Sequence, residues 1–545
     1  MIWKVSLTLL LLSFSADAAV LIGTVVDSKT NQPVAARIYV NNSNGEWMFV
    51  DSANRTGSAI AYREEWVPME ASVERHTTVS AHPFKIELKP GTYTVTVERG
   101  KEYVPQSIQL EVGKDQDSIR KTFALQRWVN MSARGWYSGE THVHRRIREL
   151  PNVMLAEDLN VAFPVTFWTT SANSAPHLRP STLRSQGPSP FGNRIDRGAK
   201  PIVVDEAHVI YPRNTEYEVF DIDGRRHVLG AMFILNHQSV FQAGAPPVKQ
   251  IAEQAHQEGA IIDLDKHSWP WSMMLVPIAK VDLYELSNNS VWRTNFGFRS
   301  SSVAPAAYMN VEMENGQMSE LGWLTFGFEN YYTLLNCGFR LKPTAGTASG
   351  VHPVPLGFSR VYVHTGTGFD GQSWLAGLKA GRSFVTTGPM LFIKVNQKHP
   401  GHVFDASEPI MAHITGELQN SEPLNRIELV MNGRKSEIPL GSHTISPSGS
   451  FCYRIDKTVE LSKSSWIAVR CFQFNGNRVR FAHSAPWHFQ VAAEPVRPRR
   501  EETDYLIQRI KNEIARNRGM LADSALAEYH EALQIYTEIA KRAHE

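Results

Sequence analysis

The stretch Trp136–His144, "WYSGETHVH", decides how the chain is read. In an extended strand residues i, i+2 and i+4 point to one face, so Glu140, His142 and His144 are expected to converge. Two neutral imidazoles side by side form a ready metal site, and a carboxylate beside them can orient a ring or take a proton. The alternative is an edge strand with two surface histidines, and the rest of the chain must choose between them.

Downstream of this stretch, short apolar runs such as "VAFPVTFW", "HVLGAMFIL", "AIIDLD", "VDLYEL" and "SRVYV" alternate with helix-like runs such as "PPVKQIAEQAHQEG" and "SWLAGLKAGR". That alternation argues for an α/β domain over residues 129–390, with a mainly parallel sheet or barrel. On either side the texture differs. Residues 19–128 alternate apolar and polar positions between Gly, Pro and Asn turns, and residues 391–491 do the same, so each reads as a β-sandwich. Residues 492–545 begin with the polar, Pro-containing "AAEPVRPRREE". They continue as a helical hairpin whose apolar faces are Leu506, Ile510 and Ile514, then Leu526, Tyr529, Leu533, Tyr536 and Ile539. Such a hairpin packs on the body of the protein or on a second copy, which makes a homo-oligomer through these helices one expectation.

With 545 residues the chain is too long for a single core. Lys+Arg 56 against Asp+Glu 54 leaves no electrostatic footprint for nucleic acid or for an anionic membrane. Residues 1–18 read as a signal peptide: one Lys, a short apolar run, then Ala16-Asp17-Ala18 at the cleavage site. Export to the periplasm or the extracellular space is therefore expected. No later run is long and apolar enough to suggest stable membrane insertion. Of the three cysteines, Cys452 and Cys471 sit on neighbouring strand-like segments and can form a disulfide or remain buried thiols; Cys337 lies in an apolar helix-like run.

Chemistry has few other places to reside. There is no Gly-x-Ser-x-Gly elbow, phosphate-binding Gly loop or Cys-x-x-Cys pair, so serine-hydrolase, P-loop and thiolate-zinc readings lack support. A second candidate cluster is "AIIDLDKHSWPW", where Asp263, Asp265 and His267 share a face at the end of an apolar run; His267 beside Trp269 and Trp271 can equally be packing. Glu206, His208, Glu216, Glu218, His227, His237, Glu285 and His352 are further candidates, each more often structural when taken alone.

Together these segments resemble a known family. "GWYSGETHVHRR" is similar to the opening motif of the polymerase and histidinol phosphatase (PHP) metallohydrolases, in particular the exported CehA/McbA-like branch. "IIDLDKHSWPW" resembles that family's His-Pro strand, "VDLYELSNN" its Glu-x-x-Asn strand, and "NCGFRLKPTAGTASGVHPVPLGFSRVYV" its last ligand-bearing segment. The resemblance covers about 260 residues in order. In front of it, "GTVVDSKTNQPVAARIYV" and "KPGTYTVTVERG" resemble the carboxypeptidase-regulatory-like sandwich of exported bacterial enzymes, which implies an accessory module rather than chemistry.

The resemblance implies a distorted β/α barrel flanked by two β-sandwiches and the helical hairpin. It also implies divalent metal (zinc, manganese or iron) at the strand ends and metal-activated water attacking a phosphate, carboxyl or carbamate ester of a small molecule or polymer. Carried over by position, the metal ligands are His142, His144, Glu216 and His267, with Glu218 or Glu206 in reserve for Glu216 and with His237 and His352 as further ligands. Glu140 stands where the family has Asp, and Glu140 or Asp265 is the catalytic group that orients or accepts a proton. Two departures matter: "FWTTSANS" replaces an Asp-His, and "GTASGVHP" replaces a Ser-Asp-x-His. They point to one or two ions rather than three. They also keep open a degenerate barrel that binds an extracellular ligand, or serves structurally, without turnover. An amidohydrolase-type barrel would need a terminal-strand Asp that the sequence does not offer.

Overall fold

The computed structural model describes residues 18–65, 73–178, 198–292 and 299–545. Residues 1–17 of the expected leader, and residues 66–72, 179–197 and 293–298, lie outside the described residues. No helix among the described residues is long and apolar enough to cross a membrane.

The N-terminal region folds as the alternation requires. In Phe84–Leu88 and Gly91–Glu98 every second side chain is buried, the pattern of a strand with one face on a core. One sheet runs Ser118–Leu125, Ala19–Asp27, Phe84–Leu88, Asp51–Ser52; the other runs Ala59–Glu65, Val73–Val79, Ala36–Asn42, Gly91–Glu98, Gln106–Val112. Leu21, Ile38, Val40, Phe84, Val95 and Phe123 belong to the one core these sheets enclose.

In the central region the strand Trp136–Val143 is buried along its whole length. It pairs in parallel with Val161–Pro164 on one side and with Lys342–Ser349 on the other. The chain carries straight on from Val161–Pro164 into Phe167–Ser171, which pairs in parallel with Asn214–Ile222. From there hydrogen bonds lead through Arg225–Leu235, Ile261–Leu264 and Leu283–Ser287 to Lys342–Ser349, and so back to the first strand. The pairings are parallel except at Arg225–Leu235, which is antiparallel to both neighbours because the Asp223-Gly224 turn folds it back as a hairpin. Helices Leu150–Glu157, Lys249–Gln257, Ser272–Ile278, Glu320–Asn336 and Gly371–Ala380 are interspersed among these strands.

The sheet does not stop at residue 390. Ser383–Thr386 pairs with both Arg360–His364 and Arg478–Ser484, so one sheet of the C-terminal region continues the central one. The second sheet, Met390–Val395, Ile410–Asn420, Phe451–Leu461 and Thr444–Ile445, closes over a shared core that includes Ile414, Leu418, Ile467 and Trp487. Cys452 lies in this second sheet and Cys471 in the other, so the two face separate neighbours; all three cysteines are buried free thiols. The disulfide expected as one option is not formed, because strands adjacent in sequence were dealt to different sheets.

The C-terminal helices Arg500–Asn517 and Asp523–Ala540 pack on this same chain. Leu506, Ile510, Tyr529 and Tyr536 join the central core. Tyr536 donates to the Met273 carbonyl at 2.7 Å, and Arg509 donates to the carbonyls of His267 and Trp269. The Glu528 carboxylate accepts from the backbone N–H groups of Val248 and Lys249, capping the start of Lys249–Gln257 where the helix dipole favours negative charge.

Where helix Glu320–Asn336 meets the C-terminal sheet, His483 is fully buried. Its Nδ1–H donates to the Ser484 carbonyl at 2.7 Å, so Nε2 accepts from the Tyr332 hydroxyl at 2.8 Å. Burial, and then the neighbouring Arg470, push the imidazole down to about 3. The unfolded chain therefore takes up this proton near its ordinary 6.5 while the folded chain does not. Stability is complete above pH 6.5 and falls as pH drops through this window, by about 1.4 kcal/mol per pH unit from this group. Unfolding measured between pH 6.5 and 4.5 should show a shallower decline for His483→Gln than for the wild type; equal slopes would remove His483 from the account of acid sensitivity.

Candidate metal centre

The strand Trp136–Val143 does not keep a regular register to its end. Pairing with Val161–Pro164 shifts between Glu140 and Val143, and pairing with Lys342–Ser349 shifts between His142 and Val143. Such an irregularity re-aims side chains. As a result His142 and His144 meet, with their Nε2 atoms 3.0 Å apart, and Glu140 is left out. The Glu140 carboxyl accepts instead from the Thr347 N–H at 2.7 Å, the Thr347 hydroxyl, and the Gly357 N–H at 2.6 Å. Burial pushes it up to about 8 against these donors. Its carboxyl clasps residues 347–357, and it belongs to neither group of donor atoms around His142.

His142 belongs to two donor groups. On its Nε2 side stand His144 and Glu216, with His144 Nε2 3.5 Å from Glu216 Oε2. On its Nδ1 side stand Glu285, whose oxygens are 3.1 and 3.3 Å away, and Asp265 at 3.5 Å. A neutral imidazole has one N–H and one lone pair. Asp265, held ionised by the Lys266 ammonium, only accepts, so the proton belongs on Nδ1 and the lone pair on Nε2, aimed at the His144 and Glu216 side. This is the arrangement in which a carboxylate orients a metal-ligating histidine from behind.

The donor set fits a divalent ion. Two imidazole nitrogens and one carboxylate are the protein ligands of one class of catalytic zinc site, and bonds of about 2.0–2.1 Å at tetrahedral angles put neighbouring donor atoms about 3.3 Å apart. The measured separations of 3.0 and 3.5 Å bracket that value. The buried charge points the same way. Burial, then Asp265 and Asp263, push Glu285 well above the ordinary carboxyl range. Burial also raises Asp263. Asp265 is raised by burial too, but the Lys266 ammonium in contact with it, together with His142, brings it below the usual range. A cation among these groups would relieve the crowding of acids.

The other expected ligands are placed elsewhere. Neither His237, His267 nor His352 belongs to either donor group. His237 is bonded through its two ring nitrogens to the Thr215 hydroxyl at 2.8 Å and the Ser239 carbonyl at 2.6 Å. His267 sits against Phe326, Trp323 and Tyr284, and burial with nearby Arg509 pushes it down to about 3, so it is a neutral ring in an aromatic setting. His352 Nε2 accepts from the Asn289 amide at 3.0 Å. Of the two alternatives for Glu216, Glu206 is exposed and Glu218 half-buried, near Lys266, whereas Glu216 is buried. Glu285 is the member that the motif reading passed over as a ligand or orienting group. Its signal is the strand Leu283–Ser287 within "VDLYELSNN", in which Glu285 stands between the apolar Leu283-Tyr284 and Leu286.

No protein family, characterised protein or solved structure matches the chain. The functional reading rests on these residues themselves.

Proposed function

We propose that the chain is an exported, metal-dependent hydrolase of PHP type, its central strands forming a distorted β/α barrel. The observation that carries this reading is that ligand atoms of His142, His144 and Glu216 lie within 4.8 Å of one another. The circuit of strand pairings through Trp136–Val143 and Lys342–Ser349 supports the barrel. A divalent ion, when bound, would supply a water of lowered pKa and polarise the oxygen of a phosphate, carboxyl or carbamate ester. The chain's own part is positional: Asp265 holds the His142 proton on Nδ1, Lys266 keeps Asp265 ionised, and Glu285 packs beside the same nitrogen. His142 and Glu216 are almost wholly removed from solvent, which strengthens every electrostatic contact between them.

A second reading, a barrel that binds without turnover, draws on the strand Phe167–Ser171 and the segment through His352, neither of which adds a residue to the donor groups. One experiment separates the two. The purified chain, loaded with zinc or manganese, is assayed on nitrophenyl phosphomonoester, phosphodiester, carboxyl ester and carbamate. Metal-dependent turnover of one class is expected; bound metal with no turnover of any class would favour the silent barrel.

A further inference from the structure

One of the contacts of the N-terminal sandwich with the central region falls beside the candidate centre. Tyr62, on strand Ala59–Glu65, is buried. Its hydroxyl donates to the His352 carbonyl at 2.7 Å and accepts from the Gly350 N–H at 2.8 Å. Both bonds fall on the backbone of one tight turn. The ring is held in place as well, with the Arg145 guanidinium 4.4 Å and the His76 ring 5.1 Å from its centroid. Behind it His76 is bonded to Glu74, and Glu74 to the Tyr39 hydroxyl, so the contact is anchored in the sandwich.

The turn holds one strained residue: Ala348 has φ +51, a conformation that persists in a non-glycine residue only where surrounding contacts enforce it, whereas φ +112 at Gly350 is open to a glycine. The turn also presses directly on the metal-binding strand. A Cβ at Gly350 would lie 2.5 Å from the His144 carbonyl, and the His144 N–H donates to the Ser349 carbonyl at 2.9 Å. Any shift of the turn is therefore a shift of the His144 backbone.

We infer that Tyr62 is a positioning residue of the metal centre: by gripping the 348–352 turn it sets the place of His144. The inference rests on the metal-dependent reading above. It makes the N-terminal sandwich part of the centre's construction, where the sequence suggested an appended module.

The test uses the full chain as wild type, Tyr62→Phe and Asn152→Ala, each titrated with zinc against a chromophoric chelator, with thermal unfolding of the metal-free proteins measured alongside. Tyr62→Phe keeps the ring between Arg145 and His76 and removes only the hydroxyl. Asn152 ties the sandwich to helix Leu150–Glu157 through Thr78 and Ser58, away from the turn. Tyr62→Phe should lose about 10-fold in zinc affinity, the low end for an outer partner of a metal ligand. Asn152→Ala should match the wild type in affinity, although both variants lower the unfolding temperature to a similar extent. Wild-type affinity in Tyr62→Phe, or an equal loss in Asn152→Ala, would overturn the positioning role and leave the metal reading intact. A wild-type chain that takes up no zinc would overturn both.

Discussion

His142→Ala is expected to abolish zinc binding and, with it, any metal-dependent ester hydrolysis. The ring is the one side chain common to both donor groups. Its removal takes away an Nε2 lone pair beside His144 and Glu216, and the Nδ1–H that Glu285 and Asp265 share. Loss of an outer partner alone costs about 10–100-fold in affinity or activity, and a ligand that also carries the outer partners should cost more. Metal titration and kcat/KM of the variant check this. His142→Ala with near-wild-type zinc affinity would mean that the ion sits elsewhere.

The second large effect is expected at a residue with no functional group. Gly346 is the register partner of His142 across the parallel strand pair. A Cβ there would fall inside contact distance of both His142 Cβ and a Glu285 carboxylate oxygen. Neither neighbour has free space to retreat into, since His142 and Glu285 are both buried. Gly346→Ala should therefore push His142 and Glu285 apart and lower zinc affinity. Overpacking a filled interior of this kind should also cost about 1–3 kcal/mol in stability. Denaturant unfolding and zinc titration of the same preparation give both readings; a variant as stable as wild type with unchanged affinity would show that the two strands are less closely packed than described.

Much of this is legible in the sequence, and the parts that are not share a cause. The strands of the first sandwich announced themselves because their burial alternates with a period of two, as in Phe84–Leu88. The hairpin helices did so because Leu506 and Ile510 recur on one face and are both buried. His142 and His144 were found from local spacing alone. Glu140 was misplaced because the same-face rule assumes an unbroken register, and nothing in "GETHVH" marks the irregularity that follows Glu140. Glu285 was not picked out as an orienting group because its position depends on the pairing of Leu283–Ser287 with Lys342–Ser349, a contact between segments far apart in sequence. For His267 the packing alternative is the one the structure favours, but the ring contacts come from Trp323 and Phe326, which are far along the chain from it. Tyr62 could not have been found locally at all, because its partners lie nearly three hundred residues away.

The central claim is that His142, His144 and Glu216 together hold one divalent ion. X-ray absorption at the zinc edge of the zinc-loaded full chain tests it most directly. The account predicts tightly bound zinc whose first shell contains two imidazole nitrogens at about 2.0–2.1 Å together with oxygen donors at about 2.0–2.2 Å. A chain that releases all zinc on dialysis, or a first shell without imidazole, would contradict it.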